Sequence, residues 1–203
     1  SLSSYEIPQT TKIYDRVGKL LYDIYTDQNR TLVDLSEIPL NLRLATIAIE
    51  DKEFYRHKGI NPIGGILRAL KETVFRQKLQ GGSTITQQLV KTALLTPERT
   101  ISRKIKEIIL AFWTEQLYSK DQILEMYLNQ VPYGGTAWGI EAASQTYFGK
   151  SVRDLTLSEA ALLTGLPAAP TSYSPFGAHP ELARNRQIEV LTRMVEDSYI
   201  TED

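Results

Sequence analysis

Cysteine is absent from the 203 residues, and histidine occurs only twice, at His57 and His179. The absence of cysteine excludes a disulfide framework, a thiolate metal site and a cysteine nucleophile. Two histidines also argue against a zinc site built on several imidazoles. The chain lacks any run of about 18 apolar residues, and residues 1–9 lack the profile of a signal peptide. No part of this sequence is therefore predicted to span a bilayer.

Neither sign of charge is in excess. Lysine and arginine total 23 and aspartate and glutamate 24, so the formal net charge of −1 gives no signal for a nucleic-acid partner. Any functional charge must be local. The length and the 42% content of hydrophobic residues suit one core, and we predict a single domain over residues 1–203. Because the chain opens without methionine and stops just after a helical pattern, we expect it to be a piece of a longer protein.

The spacing of apolar residues predicts a mainly α fold of about eight or nine helices. One β-hairpin is predicted over residues 12–22, closed at Gly18. An almost wholly apolar helix is predicted over residues 39–51, after a candidate N-cap at Ser36. The other predicted helix boundaries are capping boxes at residues 119–122 and 156–159, first-turn prolines at Pro97 and Pro180, and a C-terminal stop at Gly149.

Two acids, Glu50 and Asp51, end this apolar helix. The macrodipole at a helix C-terminus opposes negative charge and apolar surroundings desolvate it, so both effects are predicted to raise the pKa of Glu50. A carboxylate with a raised pKa is a candidate general base. The alternative is a surface carboxylate that pairs with Arg43 or a nearby lysine. His57, taken singly, is interpreted as a structural residue of the loop that Gly59 closes.

A second stretch, residues 80–91, reads Gln-Gly-Gly-Ser-Thr-Ile-Thr-Gln-Gln-Leu-Val-Lys. Ser83 or Thr84 can cap the helix that follows, and free amides at a helix start, with the hydroxyls and Lys91, would bind an anion such as phosphate. The alternative is an ordinary capped helix after a flexible loop. That alternative does not account for five consecutive polar or glycine positions followed by the pair Gln87 and Gln88.

A third stretch carries charges at helical spacing. Arg99, Arg103 and Glu107 recur at i, i+4 and i+8, which predicts a cationic face that holds one carboxylate. The alternative is a solvated face with an Arg103–Glu107 ion pair. The opposite face is predicted to pack on the core through Ile101, Ile105, Ile108 and Phe112.

Two further segments have a polar pattern. Glu125 and Asn129 share one face of the helix predicted from residue 120, and we interpret them as a buried polar brace between helices rather than as catalytic groups. Residues 60–80 combine apolar residues at helical spacing with four basic side chains and a single acid. This mixture favours an amphipathic segment that lies in the interface of an anionic membrane, with a surface helix packed on the core as the alternative.

Together these stretches resemble the signature motifs of family 51 glycosyltransferases, the peptidoglycan polymerase domains of class A penicillin-binding proteins and of monofunctional transglycosylases. The motifs follow in the family's order. They are Glu50-Asp51-x-x-Phe54-x-x-His57-x-Gly59, the run Gly81 to Lys91, Arg99-x-x-x-Arg103-Lys104-x-x-Glu107, and Ile123-Leu124-Glu125-x-Tyr127-Leu128-Asn129. Thr92 departs from the asparagine that is usual in the family. The Ser-x-x-Lys and Lys-Thr-Gly motifs of a penicillin-binding transpeptidase are absent.

The resemblance implies a lysozyme-like helical fold and an enzyme that polymerises lipid II into β-1,4-linked glycan with inversion at the anomeric carbon. The donor would be a glycan on undecaprenyl pyrophosphate. Glu50 would be the base and Glu107 a second catalytic carboxylate. The substrate contacts would come from Asp51, His57, Ser83, Thr84, Gln87, Gln88, Lys91, Arg99, Arg103, Lys104, Glu125 and Asn129.

The resemblance also implies a setting. No cofactor is required, and Mg²⁺ or Mn²⁺ near Glu107 is an option. Moenomycin-type inhibitors are expected partners. We expect a location on the extracytoplasmic face of the bacterial membrane, held by a transmembrane helix outside this chain, with residues 60–80 dipping into the outer leaflet. Two rival functions stay open, a lysozyme-like glycoside hydrolase and a non-catalytic module that binds cell-wall lipid.

Overall fold

The computed structural model describes residues 11–14, 20–24, 31–59, 82–95 and 100–202. The fold within these ranges is mainly helical, as predicted. The elements in chain order are β1 (Thr11–Tyr14), β2 (Leu20–Ile24), a 3-10 turn (Leu35–Glu37), α1 (Leu40–Glu50), α2 (Ile85–Leu94), α3 (Ile101–Leu117), α4 (Lys120–Gln130), β3 (Pro132–Gly134), β4 (Ala137–Trp138), α5 (Ile140–Phe148), a second 3-10 turn (Val152–Asp154), α6 (Leu157–Gly165) and α7 (Pro180–Glu196).

The predicted hairpin is confirmed as an antiparallel pair, β1 with β2, in which Thr11 lies opposite Ile24 and Tyr14 opposite Leu20. The turn predicted at Gly18 lies outside the described residues. Strands β3 and β4 form a second, shorter antiparallel pair next to the start of α5. None of the described helices is long and apolar enough to cross a bilayer.

Most predicted helix boundaries are confirmed. Capping boxes open α4 at Ser119 and α6 at Thr156, Pro180 is the first residue of α7, and α5 ends at Gly149 with a φ of 66°. Ser36 is not the cap of α1. It lies inside the first 3-10 turn, and α1 begins only after Pro39, whose fixed φ is compatible with a helix start. Pro97 lies outside the described residues.

The core forms around α1 and α4. Helix α1 is buried over most of its circumference, as its composition predicts, through residues 42 and 45–49. The predicted inner face of α4 is confirmed, because Ile123, Leu124, Tyr127 and Leu128 are all fully buried. A smaller cluster joins α1 to α6 and α7 through Ala45, Ala48, Ile49, Ala161, Val190 and Met194. These contacts fix the C-terminal end of α1 between α6 and α7.

The core-facing stripe predicted on α3 is wrong. Ile101, Ile105 and Phe112 are 82%, 54% and 45% exposed, and Ile108 is only half-buried. The buried line of this helix is instead Glu107, Ala111 and Thr114, at i, i+4 and i+7. Helical spacing identifies an apolar face but cannot tell what covers it. The polar side of α3 therefore packs on the protein, and the apolar side points outward.

Candidate active site

Glu50 is the last residue of α1, and its carboxylate is enclosed by other parts of the chain. Its side chain is 8% exposed. Oε2 accepts a hydrogen bond of 2.7 Å from Nε2 of Gln88 on α2, whereas Oε1 is buried and has no hydrogen-bond partner within the part of the chain that the structure describes. Burial raises the pKa of Glu50 above 4.5, against the lowering effect of the Gln88 bond and of the Arg186 guanidinium. The predicted direction of the pKa shift is therefore confirmed.

The cation that faces Glu50 is neither Arg43 nor a lysine. It is Arg186 of α7, whose Nη2 lies 3.8 Å from Oε1 of Glu50. We did not identify Arg186 from the sequence, although a signal was present. On α7 it is in helical register with the buried Ala183, Val190 and Met194. An arginine at a core-facing position needs a nearby anion, and two carboxylates lie beside Arg186, Glu50 at 3.8 Å and Glu189 at 2.7 Å.

Tyr127 and Tyr133 also lie near the base. The hydroxyl of Tyr127 donates to Oε1 of Gln88 at 3.4 Å, so it helps to orient the amide that holds Glu50. Burial, with the charge of Glu50 as a smaller effect, raises the pKa of both tyrosines. Both hydroxyls thus stay protonated and remain hydrogen-bond donors.

Asp51 and His57 form a buried hydrogen-bonded pair next to Glu50. Both oxygens of Asp51 lie 2.8–2.9 Å from Nε2 of His57, and Oδ2 also accepts from the N–H of Ile85 at the start of α2. Nδ1 of His57 accepts from the N–H of Gly59, so the proton of the ring lies on Nε2 and points to Asp51. The structural role for His57 is thus confirmed, while substrate contacts of Asp51 and His57 stay a prediction.

The start of α2 is capped by its own side chains. Thr84 accepts from the N–H of Gln87, and Gln87 accepts from the N–H of Thr84, in a complete capping box. Thr84 also donates to the carbonyl of Gly59 at 2.8 Å. Together with the Asp51 bond to Ile85, these contacts occupy three amides at the helix start. These three amides are therefore not free to bind an anion, and the predicted phosphate site at this helix start stays a prediction that would depend on other groups.

Lys104 and Glu107 of α3 lie on the other side of this helix start. Nζ of Lys104 donates to Oγ of Ser83 at 3.1 Å and to Oε1 of Glu107 at 2.5 Å. The Glu107 side chain is 1% exposed, and that of Lys104 is 46% exposed. Glu107 thus pairs with Lys104 rather than with Arg103. The Nε of Arg103 is buried without a hydrogen bond among the described residues.

One continuous line of contacts now joins the two acids. It runs from Glu50 to Gln88, along the start of α2 to Ser83, and on to Lys104 and Glu107. The sequence-predicted residues therefore meet from three helices in one place, a buried base on one side and an ammonium paired with a carboxylate on the other. Lys91 is exposed on α2, and within the described residues no hydrogen bond or ion pair joins it to this line of contacts. Arg99 lies outside the described residues.

Glu125 and Asn129 lie elsewhere and hold a backbone segment. Oε2 of Glu125 accepts from the N–H of Leu35 at 2.7 Å, and Asn129 binds both the N–H and the carbonyl of Val33. The polar brace that the sequence suggested is thus present, although it holds an extended segment and not another helix. A substrate contact of either residue stays a prediction.

The described residues contain no group of three or more histidines or acids that could hold a metal ion. The carboxylate of Glu107 already carries the ammonium of Lys104.

Comparison with known proteins gives consistent matches. The family model described as "Transglycosylase" matches residues 17–195. "Penicillin-binding protein 1A" of Aquifex aeolicus is 47% identical over 200 residues, which is 98% of this chain and 27% of that protein. "Penicillin-binding protein 1F" of Bacillus subtilis is 45% identical over 192 residues, again 27% of its length. The chain thus spans about a quarter of the length of these curated relatives.

The fold has a match among solved structures. A crystal structure of Penicillin-Binding Protein 1A from Haemophilus influenzae aligns with 98% of this chain and 20% of that one, at a TM-score of 0.53 and 27% sequence identity. The arrangement of helices described above therefore occurs in a protein of the same name as several of the sequence relatives.

Proposed function

Because the chain belongs to the transglycosylase family, whose model spans residues 17–195, we propose that it is a peptidoglycan glycosyltransferase that extends glycan strands from lipid II. The proposal includes the lysozyme-like fold, the donor strand on undecaprenyl pyrophosphate and the role in bacterial cell-wall synthesis. The single observation that carries it is the buried Glu50 carboxylate, whose Oε1 has no hydrogen-bond partner among the described residues, joined through the start of α2 to the Lys104–Glu107 pair.

Glu50 is the base of the proposed reaction. Its Oε1 takes the proton of the acceptor's 4-hydroxyl group. At the same time the oxygen of this hydroxyl group attacks the anomeric carbon of the donor in line with the leaving group. The α-linked pyrophosphate leaves with the bonding electrons, and the product is a β-1,4 glycosidic bond with inverted configuration. Burial supports this role because it raises the pKa of Glu50 and so makes the carboxylate a better proton acceptor.

Lys104 and Arg103 receive the departing pyrophosphate. The ammonium of Lys104 is partly exposed while it is held by Ser83 and Glu107, so it can bind a phosphate without first being ordered. Glu107 acts by orienting Lys104. The buried Nε of Arg103, which has no hydrogen bond among the described residues, is consistent with a ligand contact there. Lys91 and Arg99 would add further positive charge for the pyrophosphate, as the sequence motifs predict.

The proposed location is the outer face of the cytoplasmic membrane, where lipid-linked substrates are anchored. The outward face of α3 supports it. This face carries Ile101, Ile105, Ile109, Phe112, Trp113 and Leu117, all large apolar side chains that are at least 45% exposed. Exposed aromatic and aliphatic side chains beside basic residues suit a membrane interface. The segment 60–80, predicted to lie in the same interface, is outside the described residues.

Polymerisation of purified lipid II, followed on a gel that separates glycan lengths, tests the proposal. The wild-type chain should form glycan, and Glu50→Gln should form none while it still binds lipid II. Glu53→Gln is the matched control. This acid lies three residues further along, is partly exposed and pairs with Arg56, so its loss of charge should leave polymerisation unchanged.

Three outcomes would contradict the proposal. Release of muropeptides from finished cell wall, with lipid II untouched, would favour the glycoside hydrolase. Binding of lipid II without turnover by the wild-type chain would favour the lipid-binding module. Full activity of Glu50→Gln would remove the base assignment. A run with chelator decides whether Mg²⁺ or Mn²⁺ is needed, and a moenomycin-type inhibitor should block the wild-type reaction.

A further inference from the structure

Arg186 lies between two carboxylates and is bonded to only one of them. Its Nη1 donates to Oε2 of Glu189 at 2.7 Å, whereas its Nη2 stops 3.8 Å from Oε1 of Glu50. A charge-assisted hydrogen bond has a donor–acceptor distance of about 2.7–2.9 Å. The guanidinium is therefore about 1 Å short of a hydrogen bond with the proposed base.

Three further contacts hold Arg186 in this position. A Cβ added to Gly165 would meet Cγ of Arg186 at 2.8 Å, so the stem of the arginine lies directly against the backbone of α6. The guanidinium carbon lies 5.6 Å from the centre of the Tyr173 ring. Glu189 is itself held by Arg193, whose Nη2 donates to Oε1 at 2.8 Å. Packing, a ring face and an ion pair thus keep the guanidinium where it is.

This position of Arg186 leaves Glu50 able to accept a proton. Oε2 of Glu50 accepts from Gln88, whereas Oε1 has no hydrogen-bond partner among the described residues, so Oε1 is the oxygen with more acceptor capacity left for an incoming proton. A full hydrogen bond from Arg186 would occupy Oε1 and stabilise the charged carboxylate, which makes a weaker base. At 3.8 Å the cation still attracts the carboxylate but makes no hydrogen bond to Oε1.

Resting on the function proposed above, we propose that Glu189 is a positioning residue that, by holding Arg186 back, sets how readily Glu50 accepts a proton. Glu189 does not touch Glu50 and acts only through Arg186. The two side chains have opposite effects on the base. Arg186 favours the charged carboxylate, and Glu189 restrains Arg186.

The other charged and polar side chains around Glu50 already have hydrogen-bond or ion-pair partners. Asp51 is bound to His57, Lys52 pairs with Asp197, and Glu159, the one titratable side chain of α6, binds Lys150 and Thr156. Helices α2 and α4 contribute Gln88 and Tyr127, and the buried Tyr133 lies beyond them. Within the described residues, the cations that act on Glu50 are therefore Arg186 and, more weakly, Arg193.

The test is the pH dependence of kcat for lipid II polymerisation in two variants. The acidic limb reports the protonation of Glu50 in the bound enzyme. Glu189→Gln replaces the ion pair of Arg186 by a weaker neutral hydrogen bond, so Arg186 is restrained less and the limb should move to lower pH, with a lower kcat on the plateau and KM little changed. Arg186→Gln removes the cation and should move the limb to higher pH, by about 1 pH unit.

Matched controls come from the same helix. Arg184→Gln and Glu181→Gln make the same charge changes at exposed positions of α7 and should leave the limb where it is. Arg193→Gln provides a second variant if Arg186→Gln does not fold, and should move the limb upward by less. Displacement of the limb in the same direction by Glu189→Gln and by the arginine variants, or no displacement in either, would overturn the inference.

A second readout separates this inference from the proposed function. The carboxyl carbon of Glu50 can be followed by NMR in chain labelled at glutamate, in the same variants and across the same pH range. If the wild-type chain does not polymerise lipid II, the proposed function fails. Opposite displacements of the Glu50 titration by the two variants would still support the positioning role, and parallel or absent displacements would refute it.

Discussion

Replacing Glu50 by glutamine should make the protein more stable while it removes the proposed activity. The buried carboxylate has a pKa above its unfolded value of 4.5, and burial is the main cause. An acid whose pKa is raised by folding binds more protons in the folded state than in the unfolded state between the two pKa values. The stability of the wild-type protein therefore falls as pH rises through this interval. Glutamine carries no charge and avoids this loss.

The size of the effect follows from the linkage between pKa and stability. Each unit by which folding raises the pKa costs about 1.4 kcal/mol above the folded pKa. For a chain of this length, 1 kcal/mol corresponds to about 2–4 °C in Tm, so each unit is worth about 3–5 °C. The amide of glutamine can still accept the hydrogen bond from Gln88, and the lost attraction to Arg186 is the smaller of the two opposing effects, since the net direction of the pKa is upward.

Thermal unfolding of both proteins between pH 4 and pH 8 measures this difference. The two Tm values should agree at the acidic end, where the wild-type carboxyl is protonated in both states, and diverge in favour of Glu50→Gln as pH rises. Glu53→Gln, which removes a partly exposed acid from the neighbouring loop, should follow the wild-type curve. A Tm difference that does not change with pH, or a destabilised Glu50→Gln at pH 8, would refute the argument from burial.

Two further predictions concern the supports of the site. Gly139→Ala should lower the free energy of unfolding by at least about 1–3 kcal/mol. Residue 139 has a φ of +82°, and the new Cβ would lie 2.8 Å from the carbonyl oxygen of Asn129. Gly135→Ala, at +55° with open space around it, should cost roughly 1 kcal/mol; equal losses in denaturant titrations would contradict this. Asp51→Ala should cost about 1–3 kcal/mol by leaving the buried Nε2–H of His57 without an acceptor, and a wild-type urea midpoint would contradict this.

Local signals in the sequence predicted much of the fold. The capping boxes at Ser119 and Thr156 were found because the bonds within each box join residues three apart. The interior of α4 followed from apolar spacing, and the position of Glu50 at a helix end followed from where the apolar run stops. Features of this kind depend on residues within one or two turns of each other, so a sequence contains them directly.

The features that the sequence did not predict depend on residues far apart. Arg186 reaches Glu50 across 136 positions, and only the packing of α7 on α1 brings them together. The amides at the start of α2 were expected to be free, yet one of them is bound by Asp51 from 34 positions away. On α3 the spacing identified an apolar face correctly and assigned it to the wrong side, because period alone does not distinguish a core from an uncovered surface.

The start of α2 contacts both charged halves of the site, through Gln88 on one side and Ser83 on the other. A substitution at either position therefore affects two residues, Glu50 and Lys104, that have different roles in the proposed reaction. A substitution at the start of α2 that moves Glu50 is therefore expected to move Lys104 as well.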